Sequence, residues 1–170
     1  CIPVSEYAFQ LFDRLKGLRA RPLMTLVACF VLFISGGLSI LRESISSFQA
    51  YGRPAMQAAQ FAEEETPEHS LFLTHWDQHL NPVSALAGRS IVCGPDLWLY
   101  YHGFDTEQRK QDISRFYQAP ETSGDVIARY HVDYVLLGPA ERQAFSADEA
   151  LFSPLFEEVY RDAHGEYIIY

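Results

Sequence analysis

The sequence predicts an α/β protein: an N-terminal transmembrane helix, then a small, mainly parallel three-layer α/β domain with an antiparallel C-terminal hairpin. Three observations carry this. No charged residue occurs between Arg21 and Arg42. Short, almost wholly apolar strand candidates alternate with helical segments, the pattern of a parallel sheet covered on both faces. Near the end, Asp162-Ala163-His164-Gly165 separates two strand-like segments, as a hairpin turn does.

The organisation expected is residues 1–21 as a cytoplasmic or interfacial segment, 22–41 as the membrane helix, 42–52 as a linker and 53–170 as an extracytoplasmic domain. Residues 5–20 place Phe9, Leu11, Phe12, Leu15 and Leu18 at helical spacings, which suits an interfacial helix or a plain connector between two spans. The uncharged run is about 20 residues, enough at about 1.5 Å each to cross a 30 Å hydrocarbon core. Arg14, Lys16, Arg19 and Arg21 precede it, whereas Arg42 and Arg53 are the only basic residues between it and Arg89. The positive-inside rule therefore puts residues after about Arg42 outside the cytoplasm. A cleaved signal peptide is the competing reading, with small residues at Ser35-Gly36-Gly37. No A-x-A-like site follows, and apolar character resumes at Leu38, Ile40 and Leu41. A buried helix of a soluble protein fits less well, because the run is long and bracketed by arginines. The chain starts with Cys1 rather than Met, so it is expected to be a piece of a longer protein.

In the domain, Arg53–Glu65 is rich in Ala, Gln and Glu and reads as a helix stopped by Thr66-Pro67. Ser70–Thr74 and Ser90–Cys93 read as strands, with a helical turn at Pro82–Ala87 between them. Asp105 can cap a helix reaching about Gln118, with Ile113, Phe116 and Tyr117 on its apolar side. A helix at Ser123–Tyr130, a strand at Asp133–Leu137 ended by Gly138-Pro139, and a short helix at Ala140–Phe145 follow. Segments 156–161 and 166–170 form the hairpin.

Composition excludes several functions. The net charge of −9 argues against a nucleic-acid binder, and from Arg53 onward eight Lys/Arg stand against nineteen Asp/Glu. Cys93 is the one thiol of the domain, so no disulfide forms within it. No G-x-S-x-G, H-E-x-x-H, P-loop or G-x-G-x-x-G pattern occurs.

The segments LAGRSIVCG, WLYYHGFD and VDYVLLGPAERQAF, after a membrane helix and an Ala-rich helix, carry a resemblance. Residues 51–170 and the preceding span resemble the C-terminal extracytoplasmic part of bacterial multi-pass glycosyltransferases of the GT-C type. Those proteins are similar to the protein O-mannosyltransferases. The resemblance implies transfer of a sugar from a polyprenyl-phosphate donor to an acceptor outside the cytoplasm. It implies a catalytic carboxylate in an early outer loop that does not match any segment of this sequence, so no catalytic residue is assigned. A divalent metal is the candidate cofactor of the whole enzyme, and none is expected in this segment. The expected partners are membrane lipid, the polyprenyl-phosphate sugar and its acceptor. The alternative is a non-catalytic binding or scaffolding domain on a membrane protein.

In a parallel sheet, ligands collect where strand carboxyl ends meet helix N-termini. The loops there carry His75-Trp76-Asp77-Gln78-His79, then 94–103 with Trp98, Tyr100, Tyr101 and His102, then 138–142 with Arg142. Candidate substrate-binding residues are His75, Trp76, Asp77, Arg89, Trp98, His102 and Arg142. Aromatic faces and hydrogen-bonding side chains suit a sugar. Each residue also has a plainer role. The His75-x-Asp77-x-His79 spacing lacks an evident fourth metal ligand. Trp98, Tyr100 and Tyr101 suit an interfacial belt or the core. Arg89 could grip a phosphate, or Asp96 or a helix C-terminus could satisfy it. Arg142 could hold an anion or form a surface ion pair.

Overall fold

The computed structural model describes Glu6, Gln10, Asp13, Arg14 and residues 21–170. The segment expected at 5–20, with Phe9, Leu11, Phe12, Leu15 and Leu18, lies outside the described residues apart from those four positions. The chain divides into two compact units, Cys1–Phe48 and Gln49–Tyr170.

In the first unit, helix α1 spans Arg21–Ile45. Its stretch Pro22–Ile45 is 24 residues of apolar helix without burial, a candidate membrane span. At about 1.5 Å per residue it is about 36 Å long, which exceeds a 30 Å hydrocarbon core. Its serines suit that medium: Ser39 and Ser44 donate their hydroxyls to the carbonyls of Ser35 and Ile40, four residues back.

The second unit is a five-stranded sheet in the order β2-β1-β3-β5-β4, with helices on both faces. Helix α2 (Arg53–Glu65) starts with Pro54 in its first turn and buries Ala55, Ala58, Ala59 and Ala62, a stripe at helical spacing. Small side chains there let the helix lie close on Phe72, Leu136 and Ile169. Strand β1 (Leu71–Leu73) leads into α3 (Pro82–Ala85), whose N-cap Asn81 accepts from the amides of Val83 and Ser84. Strand β2 (Ser90–Ile91) leads into α4 (Asp96–Tyr101), then α5 (Glu107–Gln118), a 3₁₀ turn at Pro120–Thr122 and α6 (Gly124–Tyr130). Strand β3 (Tyr134–Leu137) leads into α7 (Pro139–Phe145) and α8 (Glu149–Phe152).

Strands β1, β2 and β3 are parallel, with Leu71 opposite Ser90 and Phe72 opposite Tyr134. The hairpin of β4 (Tyr160–Arg161) and β5 (Ile168–Ile169) adds antiparallel pairs, with Leu136 opposite Ile169. Alternation along β3 sorts the core. Val135 and Leu137 face the layer of Ile113, Phe116, Tyr117, Val126 and Phe145, while Leu136 faces that of α2 and α3. Asp162 closes the hairpin turn by accepting from the amides of Tyr167 (2.6 Å) and His164 (2.8 Å), and Gly165 takes φ +67°. The predicted fold class is therefore the one observed.

Helix α4 is new relative to the sequence reading, which takes 94–103 as a loop. Its aromatic residues are not core either: Trp98, Tyr100 and Tyr101 are exposed, as is Leu97, and only Leu99 packs against the interior.

Candidate functional site

Because β1, β2 and β3 run parallel, their carboxyl ends share one edge, and the loops after them converge there. Two contacts show the convergence. The amide of His75, just past β1, donates to Glu141 Oε1 of α7 at 2.8 Å, and Gly138 at the end of β3 donates to Glu141 Oε2 at 2.9 Å. On the other side, the His79 and Trp98 rings lie 5.4 Å apart, joining the loop after β1 to α4.

Glu141 holds this edge together. It is fully buried, and each carboxylate oxygen accepts from a backbone amide of a different strand end. Burial pushes its carboxyl above the usual range, against the opposing pull of those amides. A Cβ on Gly138 would come within 2.9 Å of the Tyr167 ring and 3.1 Å of Glu141 Oε2, so the close approach requires glycine. Beneath, the Tyr117 hydroxyl sits between the carbonyls of Leu73 and Leu136, at 2.9 and 2.6 Å. Its ring stacks on Phe145 at 5.1 Å.

The His75 ring packs on Trp76 at 5.0 Å and on Phe145 at 5.2 Å. Burial lowers its pKa, and nearby Asp77 only partly opposes this, so the imidazole is neutral at pH 7. Its Nδ1 is buried and has no hydrogen-bond partner among the described residues. Trp76 lines a hollow of about 490 Å³ with Lys110, Gln111, Ser114, Arg115 and Gln118 of α5. A neighbouring hollow of about 330 Å³ lies between Asp96, Tyr100, Phe104, Thr106, Glu107 and Lys110.

The remaining predicted residues are placed as follows. Asp77, Trp98 and His102 are exposed at the same edge, His102 forming the C-cap of α4. Arg142 lies at this edge too, but its Nη1 donates to the Glu166 carbonyl of the hairpin at 2.6 Å. Arg89 is not at the rim. It precedes β2, at the amino end of the strands, and its guanidinium donates to the carbonyls of Glu63 (2.6 Å), Thr66 (2.9 Å) and Ala87 (3.1 Å) and to Thr66 Oγ1 (3.1 Å). It thus terminates α2, a structural task that uses the whole guanidinium fork. His75, Asp77, His102 and Arg142 line neither hollow, whereas Trp76 lies in the wall of the one against α5.

Sequence reasoning missed an ion cluster between the two hollows. Lys110 Nζ lies 3.0 Å from Asp96 Oδ2 and 3.1 Å from Glu107 Oε2, and Thr106 Oγ1 donates to Asp96 Oδ1. The Thr106 and Lys110 bonds hold the Asp96 carboxyl below its ordinary range. The three-residue spacing of Glu107 and Lys110 was readable; their partner Asp96, on another helix, was not. Among the described residues, no three His, Cys, Asp or Glu side chains converge as a metal site.

No protein-family model matches the chain, and no curated protein matches it. Among solved structures, it is similar to the C-terminal globular domain of the oligosaccharyltransferase from Archaeoglobus fulgidus. The identity is 14% and the TM-score 0.45, over 70% of this chain and 96% of that one.

Proposed function

We propose that residues 49–170 form an extracytoplasmic accessory domain of a membrane glycosyltransferase, one that takes its sugar from a polyprenyl-phosphate donor. The observation that carries this reading is the loop edge itself. An aromatic wall (Trp76), the His75 imidazole beside it and exposed polar side chains (Asp77, His102) lie along that edge, in a chain with a candidate membrane span. A sugar needs that mixture: a flat apolar surface for its C–H face and hydrogen-bonding groups for its hydroxyls. The motif resemblance of residues 51–170 to GT-C enzymes supports the same reading. The edge contributes to acceptor or donor positioning, and bond making falls to other parts of the enzyme.

The test is sugar transfer by the full-length membrane protein carrying Asp77→Ala or His102→Ala. Both side chains are exposed, so folding is preserved. Loss of a sugar contact should lower transfer about tenfold, equivalent to 1.4 kcal/mol. Unchanged transfer by both variants would reduce the edge to architecture and favour a scaffolding domain.

A further inference from the structure

We propose that the outer face of α4 docks on the bilayer surface, with Trp98, Tyr100, Tyr101, Leu97 and Phe104 seated among the lipid headgroups. Within residues 97–104, Leu97 is 60%, Trp98 64%, Tyr100 70%, Tyr101 77% and Phe104 63% exposed. Helix α4 buries none of its residues. A run of five large apolar or aromatic side chains facing water is a surface that calls for a partner.

Three observations select lipid as that partner. The first is residue type. Trp and Tyr combine an apolar ring with one polar handle and concentrate where a membrane meets water. The second is the tether. Only residues 46–52 separate the end of α1 at Ile45 from the start of α2 at Arg53. Seven residues reach at most about 25 Å, less than the roughly 30 Å diameter of a small domain. With α1 in a bilayer, the surface of the domain is offered to that bilayer at an effective concentration of about millimolar, so a weak contact is enough. The third is charge. With eight basic against nineteen acidic residues, residues 53–170 cannot be drawn to the membrane by anionic lipid. Attachment has to come from apolar and aromatic contact, which α4 supplies.

The patch is also held ready. Asp96, at the first position of α4, is tied to Thr106 and Lys110. Leu99 packs inward on the core, and Trp98 leans on the His79 ring. The aromatic face is therefore presented on a fixed helix. The proposal rests on α1 spanning a membrane and is independent of any sugar chemistry.

The test uses the full chain in phosphatidylcholine vesicles free of polyprenyl lipid. Flotation after an alkaline carbonate wash establishes first that α1 is inserted. The chain has two tryptophans, both in the second unit, so Trp76→Phe leaves Trp98 as sole reporter. Nitroxide lipids labelled near the headgroup should quench its emission about twofold, as for an interfacial ring, while aqueous iodide should have little effect. Adding phosphatidylglycerol should leave the quenching unchanged or weaken it. Quenching by iodide and not by the lipid label would overturn the proposal. So would lipid quenching that vanishes on dilution of the protein within the membrane, which would make a second copy the occupant. Should Trp76→Phe disturb folding, Trp98→Phe serves instead. Lipid quenching undiminished in that variant would equally overturn the proposal.

Discussion

Replacing Glu141 by Ala tests how the carboxyl edge of the sheet is held. The variant removes both acceptors at once, leaving the amides of His75 and Gly138 without partners in a fully buried site. Each orphaned amide costs about 1–3 kcal/mol, and relief from burying a carboxylate offsets part of the sum, so a net loss of about 3 kcal/mol is expected. For a domain of about 120 residues this lowers Tm by about 10 °C. The pH dependence is specific. The folded-state pKa of Glu141 is raised, so between the unfolded and folded pKa values the native state binds more protons than the unfolded one. Its contribution to stability is then greatest below the unfolded pKa, about 4.3, and falls as pH rises through the folded value. The difference between wild type and Glu141→Ala should therefore be larger at pH 5 than at pH 8. Thermal melts of the full chain in detergent, followed by tryptophan emission, measure it. A Tm within about 1 °C of wild type at both pH values, or a difference that grows with pH, would refute the reasoning.

Asp112 should behave with the opposite sign. Burial raises its carboxyl, but bonds from Tyr130, Arg115 and Arg129 outweigh that and hold it below its usual range. Its stabilisation is present above an unfolded pKa of about 3.9 and lost as pH falls through the folded value. Asp112→Asn should accordingly cost about 2 kcal/mol at pH 7 and progressively less below pH 4; an equal cost at both would contradict this. Residues 49–170 expressed alone should show a cooperative melt by circular dichroism, since both core clusters lie within them. A disordered spectrum would refute the independence of that unit.

The legible parts of this fold are those in which local pattern and tertiary role agree. Leu71–Leu73 and Tyr134–Leu137 are apolar runs bounded by turn residues, and Asp162 to Gly165 specifies its own turn through its side chain and a positive φ. The shared edge of the three loops followed from parallel pairing alone. Helix α4 was hidden because Gly94-Pro95 and Gly103 bracket only six helical residues, too few for a period to declare itself. Glu141 was hidden for a different reason. A glutamate in the first turn of a helix reads as an exposed charge, and its partner amide at His75 is 66 residues away. Arg89 could have been placed correctly: it immediately precedes Ser90 of β2, hence lies at the amino end of the sheet, opposite the loops it was grouped with.

The proposed function requires, above all, that the second unit lie outside the cytoplasm, the side to which Arg14, Lys16, Arg19 and Arg21, on the amino-terminal side of the candidate span, would direct it. Paired fusions after Tyr170 measure this directly, one to a reporter active only outside the cytoplasm and one to a reporter active only within it. Activity of the outer reporter and silence of the inner one is the predicted result, and activity of the inner reporter would contradict it.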